Sequence, residues 1–392
     1  GRKVEHMASS KDTRWGHVAL IMSTALCIGM AIGLFPALLA LNLDARGYDS
    51  TSNGLLAAMH GLAGLAVSPF VPRLMAGLGA LKTYFMALAC AAAAALLFTL
   101  SDDIGAWFAL RFLMGVGLGI QWIVSETWVN QIAQGPRRGT IISVYLLVLT
   151  VGLATGPLIL TVTGFSSAAP FFIAAAILAL SGLPLLFLPA QPVAVGGHGK
   201  HLPLLDALRR KPSAMLAAVM DGFIFQSFMA LLPLYFLRLG SPEGAAIGML
   251  NAFFLGSFTL QLVVGYALDR HSPAAVLFWS SLILLIGLAI AAVPNLGLGW
   301  IWFAIFLMGG PAVAIFTAGL AGISDAFTAE EMPSGTAMFT MVWHVGGLAG
   351  PVMAGVAMDV WNPFGFAAVI AASLMILALA NGLAMRPALL AR

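Results

Sequence analysis

The sequence predicts an all-α membrane protein in which twelve transmembrane helices form two pseudo-symmetric six-helix bundles. The first reason is composition: 61% of the 392 residues are hydrophobic and 8% are charged, so a water-soluble fold could not cover its apolar surface. The second is the length of the apolar runs, which reach the ~20 residues that a helix needs to cross a bilayer. Lipid leaves only helices and closed barrels as spanning structures, and these runs lack the alternation of barrel strands. The third is an internal repeat.

Turn residues separate the predicted spans, for example in segments 44–49 and 241–244. The longest connection is rich in Pro and Gly and divides the chain near its middle. The predicted spans are 17–41, 53–77, 82–100, 104–126, 139–163, 167–189, 213–237, 245–268, 273–293, 298–323, 333–358 and 363–386. The predicted domains are an N-terminal segment 1–16, a bundle 17–189, a linker 190–212, a bundle 213–386 and a tail 387–392. Residues 1–6 look like an addition ahead of a natural start at Met7.

The distribution of Lys and Arg predicts that both termini are cytoplasmic. With this orientation the outer connections carry only Arg46 and Arg238, as the positive-inside rule requires. The net charge of +3 is then an orientation signal, and a nucleic-acid partner is not expected. The inner connections and termini carry Lys11, Arg14, Arg73, Lys82, Arg137, Arg138, Lys200, Arg209, Arg210, Lys211, Arg270, Arg386 and Arg392.

Both halves carry a Gly-x-x-x-Gly-Pro motif, in span five and again 194 residues later in span eleven. Small residues four positions apart let helices approach closely, and a proline bends a helix and frees a carbonyl group. We interpret the motif mainly as a packing feature, which is compatible with a bend used in rocking. Its residues are Gly152, Gly156, Pro157, Gly346, Gly350 and Pro351. Duplicated six-span units are common in secondary transporters, whose substrate sites lie near the midplane.

The Gly-x-x-x-Asp-Arg segment at residues 265–270 resembles the loop motif A of the major facilitator superfamily, and a degenerate copy stands at residues 68–73. Residues 110–119 resemble its fourth-helix motif B. Residues 152–157 resemble its fifth-helix motif C, which is associated with proton-driven exporters. The Glu-x-Trp-x-Asn stretch at residues 126–130 is similar to one in bacterial members. The order and duplication of these motifs cover nearly the whole chain.

This resemblance implies the twelve-helix fold of that superfamily, with spans one, four, seven and ten lining a central cavity. It implies a secondary transporter in the bacterial inner membrane that is driven by the proton gradient and needs no cofactor. We expect its partners to be a small-molecule substrate, protons and the lipid bilayer. We also expect it to be a monomer.

Few charged residues lie at bilayer depth, where charges are costly and usually functional. Arg111 is eight residues into span four, about 12 Å along the helix. Asp221 lies nine residues after Pro212, about 13 Å along span seven. We hypothesise that Asp221 or Arg111 couples protons or binds a charged group of the substrate. The alternative for Arg111 is structural, with its guanidinium tying helix ends or backbone carbonyls together.

Two histidines extend the candidate site. His344, about 16 Å into span eleven, and His60 in span two carry side chains that titrate near neutral pH, although neutral histidines also pack well between helices. Trp122 shares a broad face of span four with Arg111. The candidate substrate and proton-coupling residues are Arg111, Asp221, Trp122, Gln226, His344 and His60.

Charged residues at the inner ends of the spans predict a cytoplasmic gate. Each half places an arginine after its second span and an acid at the end of its fourth, which suggests two salt bridges. Asp269 could in addition cap the helix that starts near residues 139–140. Alternating access needs contacts that exist in one state only, whereas static loop orientation is the simpler alternative. The predicted pairs are Arg73 with Glu126 and Arg270 with Asp325.

The leading functional hypothesis is a proton-coupled secondary transporter that works by alternating access, with export by H⁺ antiport favoured by motif C. Uptake of a small metabolite by H⁺ symport is one alternative, and a non-transporting membrane sensor on the same fold is another. An enzyme would need a constellation such as His-Glu-x-x-His or a nucleotide-binding loop, and the sequence contains neither. Irregular Met and His spacing argues against metal transport. Cys27 and Cys90 lie within apolar runs, so we predict no disulfide.

Overall fold

The computed structural model describes residues 2–132, 138–187, 204–293, 296–328 and 331–390, and these ranges contain helices and no strands. A 3₁₀ turn covers Pro184–Phe187. The helices are α1 (Arg2–Ala45), α2 (Ser50–Val67), α3 (Val71–Leu78), α4 (Ala80–Leu97), α5 (Ile104–Ile132), α6 (Arg138–Thr163), α7 (Ala169–Gly182), α8 (Leu204–Arg210), α9 (Pro212–Arg238), α10 (Glu243–Arg270), α11 (Pro273–Ala291), α12 (Leu298–Ala326), α13 (Met332–Val360) and α14 (Phe364–Leu390).

In the described part of the chain, eleven helices are long and apolar enough to cross a membrane, or twelve if α2 and α3 count as one span. The exception is predicted span two, where α2 and α3 meet at a bend of 57°. Pro69 has no backbone N–H and disfavours a helical conformation of Ser68, so α2 ends at Val67. Pro72 lies in the first turn of α3, where a missing N–H costs little. Predicted span two, residues 53–77, is therefore a bent pair of helices, and the count of twelve spans holds if this pair is one span.

The ends of other helices differ from the predicted spans for local reasons. Predicted span six, 167–189, is helical only to Gly182, because Pro184 cannot continue the α-helix and a 3₁₀ turn follows. Part of the predicted linker is helical, since residues 204–210 form α8. The rest of the linker before it, residues 188–203, lies outside the described residues.

The described residues divide into two compact units. Unit 1 comprises those within 1–35 and 66–195, and unit 2 comprises those within 36–65 and 196–392. The end of α1 and most of α2 therefore pack with the C-terminal part of the chain. Pro36 lies inside α1 at the point where the helix leaves unit 1.

Within unit 1, α1 and α6 touch through glycines. A Cβ atom on Gly152 would lie 2.9 Å from Gly29 Cα, and one on Gly156 would lie 2.7 Å from Leu34 N. These neighbours are backbone atoms, which cannot move aside cheaply. The two helices therefore approach to a distance that only glycine permits at these positions.

Within unit 2, α9 and α13 repeat this arrangement. A Cβ atom on Gly346 would lie 2.9 Å from Phe223 N, and one on Gly350 would lie 2.7 Å from Phe223 Cα. A Cβ atom on Gly222 would lie 3.1 Å from Gly347 N. Because backbone meets backbone here, side chains that flank the contact on both helices are brought close together.

Candidate functional site

Asp221 lies on α9 beside this contact and is 8% exposed. Its carboxylate Oδ2 accepts a hydrogen bond of 2.7 Å from the indole Nε1 of Trp343 on α13. None of the ion pairs among the described residues includes Asp221. The close glycine packing of α9 and α13 explains this geometry, because it lets a short carboxylate reach the neighbouring helix.

A group of aromatic rings adjoins this carboxylate through Trp343. Phe225 follows Asp221 by one helical turn and lies 5.9 Å from the Trp343 ring, centroid to centroid, at an interplanar angle of 47°. Phe225 also meets Phe254 of α10 edge-on at 6.2 Å. Phe254 is fully buried, whereas Phe225 and Trp343 are half-buried. We call Asp221, Phe225, Phe254 and Trp343 the Asp221 cluster.

His344 adjoins this cluster. Its ring lies 5.2 Å from the Trp343 ring in an edge-on arrangement. The imidazole fills a notch on α2, since a Cβ atom on Gly64 would lie 2.6 Å from His344 Cε1. His344 Nδ1 is buried and has no hydrogen-bond partner in the described part of the chain. His60 lies one helical turn before Gly64 on α2.

Gln226 is 6% exposed on α9, next to Phe225 in the sequence. A Cβ atom on Gly347 would lie 2.9 Å from Gln226 Cγ, so this side chain packs against α13. Unit 2 therefore contains four of the predicted site residues, and α9 and α13 carry three of them.

Arg111 and Trp122 belong to unit 1. Arg111 is 2% exposed on α5, and its Nη1 lies 3.8 Å from the thioether sulfur of Met114. Its Nε is buried and unpartnered among the described residues. Trp122 is half-buried and packs against the core of unit 1, which includes Tyr84 and Trp128. A fully buried guanidinium without a carboxylate is unusual, because the charge then lacks compensation.

The arginines of the predicted cytoplasmic gate stack on nearby rings. Arg73 lies 6.0 Å from the centroid of Phe70, and Arg270 lies 4.6 Å from that of Tyr266. No ion pair between described residues joins either arginine to the predicted acid. Each ring stands three or four positions before its arginine, so helix geometry alone allows the contact. The gate pairs Arg73–Glu126 and Arg270–Asp325 stay predictions.

Two of the three acidic residues of that gate, Asp325 and Asp269, have different surroundings. Asp325, at the end of α12, lines a small cavity together with Lys211 at the start of α9. Asp269 was predicted to cap the helix near residues 139–140, and the side chains of those two residues lie outside the described part of the chain. That cap also stays a prediction.

Sequence reasoning missed a cluster at the opposite ends of these helices, which we call the Arg238 clasp: Asp44, Ser50, Thr51, Arg238 and Asp359. Arg238 donates from Nη2 to Asp44 Oδ1 at 2.9 Å and from Nη1 to Ser50 Oγ. Asp359 Oδ1 lies 3.8 Å from Arg238 Nη1. Asp359 also accepts from Ser50 N at 2.8 Å, Thr51 N at 2.7 Å and Thr51 Oγ1 at 2.6 Å.

The clasp joins four helices of unit 2. Asp44 ends α1, Ser50 and Thr51 start α2, Arg238 ends α9, and Asp359 stands near the end of α13. The Asp359 carboxylate satisfies the first N–H groups of α2, where the helix dipole favours an anion. The residues that pair in the clasp are from 121 positions apart (Arg238 and Asp359) to 309 positions apart (Ser50 and Asp359), so spacing gave no signal. The one hint of the clasp in the sequence was that Arg238 stands alone among acidic residues of the predicted outer connections.

A second missed ion pair joins α8 to the start of α13. Arg210 Nη1 donates to Glu331 Oε2 at 3.0 Å and to Oε1 at 3.1 Å. Glu331 also accepts from the backbone N–H of Thr328 at 3.2 Å. The Arg210 guanidinium lies 5.6 Å from the centroid of Phe327. These contacts fix the short helix α8 against the beginning of α13.

Comparison with known proteins identifies the wider family. The family model described as Major Facilitator Superfamily matches residues 21–251 and 215–388. The MFS-type transporter YfkF of Bacillus subtilis is 25% identical over 348 residues, which cover 86% of this chain and 88% of YfkF. The MFS-type transporter YE1530 of Yersinia enterocolitica is also 25% identical over 348 residues, or 87% of this chain and 89% of that protein.

The fold is shared with solved structures. A point mutant of the nucleoside transporter NupG superposes with a TM-score of 0.79 over 94% of this chain and 98% of that one, at 18% identity. A second NupG structure gives a TM-score of 0.75 over the same shares. The matched segments, which include both copies of the repeat, and this common architecture lead to one conclusion: the chain belongs to the Major Facilitator Superfamily and is a multi-pass membrane transporter.

Proposed function

We propose that this transporter is coupled to protons through Asp221. The observation that carries the proposal is a carboxylate within a membrane-spanning helix that is 8% exposed, held by one indole N–H and paired with no described cation. Ionisable groups at membrane depth are costly and are typical of proton relays and substrate pathways. Binding and release of a proton would change the charge next to Trp343 and His344.

The Arg238 clasp supplies a gate for this cycle. By the distribution of Lys and Arg it lies on the outer side of the bacterial inner membrane, with both termini in the cytoplasm. Its ion pairs and the Asp359 cap join the ends of α1 and α2 to those of α9 and α13. Alternating access requires such contacts in one state and their loss in the other.

Export by H⁺ antiport is the direction we favour, because residues 152–157 resemble motif C of proton-driven exporters. Uptake by H⁺ symport is the second candidate. The fold shared with the nucleoside transporter NupG makes nucleosides useful probes for it. A sensor without transport activity would move no compound at all.

The test is a proton-flux assay on the full chain in proteoliposomes that contain a pH-sensitive dye. Nucleosides, sugars, amino acids and organic cations are added one at a time, and the internal pH is recorded. We expect at least one class to move protons in the parent and none to do so in Asp221→Asn. The direction of the pH change separates antiport from symport.

The matched control is Glu243→Gln, which removes an exposed carboxylate at the start of α10. It should transport like the parent. Equal proton movement in Asp221→Asn and the parent would show that another group carries the proton, and the proposal would fail. Absence of any flux in the parent across the whole panel would favour the sensor alternative.

A further inference from the structure

We propose that a cavity at one end of unit 2 binds a compact zwitterion, a molecule that carries an anionic phosphate or carboxylate group and an ammonium group. The cavity has a volume of about 230 Å³ and lies between the starts of α9 and α11 and the end of α12. We call it the Lys211 cavity, and its polar lining consists of Lys211, Ser213, Ser272 and Asp325. It shares no residue with the Asp221 cluster, so this inference does not rest on the proposed function.

The first step concerns two opposite charges that line this cavity without pairing. The stem of the half-buried Lys211 lies against α12, because a Cβ atom on Gly322 would be 3.6 Å from Lys211 Cε. Asp325 follows Gly322 by three positions, so both lie on the same side of α12. No ion pair between described residues joins Lys211 to Asp325 or to another acid. A ligand that carries both charges can interact favourably with both side chains at once.

The second step concerns the helix starts beside Lys211. Both α9 and α11 have a proline at their first position, so the first N–H groups of these helices belong to Ser213 and Ala274. Both residues line the cavity, and neither N–H donates to an acceptor in the described part of the chain. Unpaired N–H groups and the dipole at a helix start favour an anion. Together with the ammonium group of Lys211, they fit the anionic end of the ligand.

The third step concerns the charge balance and the size of the site. An anion alone would meet the carboxylate of Asp325, and a cation alone would meet the ammonium group of Lys211, so each would be repelled by one of them. Pockets for drug-sized ligands measure roughly 300–1,000 Å³, so the Lys211 cavity suits a smaller molecule. A short chain between an ammonium group and an anionic group satisfies both conditions.

The experiment measures equilibrium binding of radiolabelled phosphoethanolamine to the purified full-length protein in detergent. Two fragments serve as matched competitors, because ethyl phosphate keeps only the anionic group and ethanolamine keeps only the ammonium group. We expect saturable binding, with each fragment displacing the probe only at concentrations about tenfold higher than unlabelled phosphoethanolamine requires. Competition by β-alanine, in which a carboxylate replaces the phosphate, identifies the preferred anionic group.

Substitutions test the two charged side chains separately. Lys211→Gln and Asp325→Asn should each weaken binding about tenfold, because each removes one charge-assisted contact. Lys211→Arg should retain most of the binding, since it keeps the positive charge. Arg209→Gln and Asp206→Asn on α8 are the matched controls, because neither residue lines the cavity, and they should bind like the parent. Gel filtration and thermal unfolding show whether each variant is folded.

Nanodiscs distinguish a lipid headgroup from a free solute as the source of the zwitterion. Nanodiscs of phosphatidylethanolamine should block the probe if the headgroup is the occupant, and nanodiscs of phosphatidylglycerol should not. Equal binding in both assigns the site to a free solute. No saturable binding to the parent, displacement by either fragment as strong as by phosphoethanolamine, or unchanged binding in a folded Lys211→Gln or Asp325→Asn would each overturn the inference.

Discussion

At the scale of single residues, two arginines with little solvent exposure differ in their partners. Arg238 faces two carboxylates and a serine hydroxyl, so its charge is compensated. Arg111 meets the Met114 thioether and keeps an Nε without a partner among the described residues. Removing water from a charge without a counter-charge is costly. Arg111 therefore remains a candidate for function.

Glycine at position 350 gives a prediction at this scale. Gly350→Ala should destabilise the protein by about 1–3 kcal/mol, because the new Cβ would overlap the backbone of Phe223. Thermal unfolding in detergent measures the effect. The control is Gly248→Ala on α10, where nothing lies within 4 Å of the added atom. Equal midpoints for both variants would contradict the close contact of α9 and α13.

At the scale of elements, two pairs of helices pack closely through glycines, and side chains beside these glycines are brought together. The contact of α1 with α6 uses Gly152 and Gly156, and that of α9 with α13 uses Gly346 and Gly350. In unit 2 a further seam joins α2 to α13, where the His344 ring lies against Gly64. A movement of α13 would therefore change its contacts with α2 and with the Asp221 cluster at the same time.

The attachment of α8 gives a prediction with a pH dependence. The backbone N–H of Thr328 and then the Arg210 guanidinium lower the pKa of Glu331 below its ordinary value of 4.5. Because the folded-state pKa of Glu331 is lowered, its ionised carboxylate stabilises the contact between α8 and α13 above pH 4.5. This stabilisation is lost as the pH falls through the folded-state pKa. The mobility of a spin label at position 208, in a background without Cys27 and Cys90, should therefore rise on acidification.

Arg210→Gln should raise the mobility of that label already at neutral pH and abolish most of the pH dependence. Arg209→Gln, at the adjacent arginine of the same helix, is the matched control and should behave like the parent. If both substitutions had the same effect, the ion pair with Glu331 would not be what holds α8.

At the scale of the whole molecule, the Arg238 clasp joins distant parts of the chain within unit 2. It ties residues 44–51, from the first quarter of the sequence, to Arg238 and Asp359. The arginine and the two acids are 18%, 24% and 27% exposed, so solvent screens their attraction only in part.

Opening of the clasp is the prediction at this scale. Asn53 on α2 is 2% exposed, so Asn53→Cys in a background without Cys27 and Cys90 should react slowly with a membrane-impermeant maleimide. Adding Arg238→Gln should raise the reaction rate about fivefold, if the ion pairs contribute about 1 kcal/mol. Adding Glu243→Gln should not change it. Equal rates with and without Arg238 would mean that the clasp is no gate.

The sequence by itself determined the membrane class, nearly all the spans and the family, because hydrophobic length, composition and glycine motifs are local properties. It also singled out Asp221, Gln226 and His344 as candidates, because an ionisable or polar residue within an apolar run is visible in the sequence alone. The break at Pro69 was readable from Ser68-Pro69 but was outweighed by the apolar run around it.

Only the tertiary structure decided which of these side chains meet. The hydrogen bond from Trp343 to Asp221 and the clasp between Arg238, Asp44 and Asp359 join residues more than 100 positions apart. The two arginines of the predicted cytoplasmic gate show the opposite case. Arg73 and Arg270 lie over rings that are only three or four positions away in the chain. Pairing depends on how closely helices approach and how they are rotated, and the packing of the whole unit sets both.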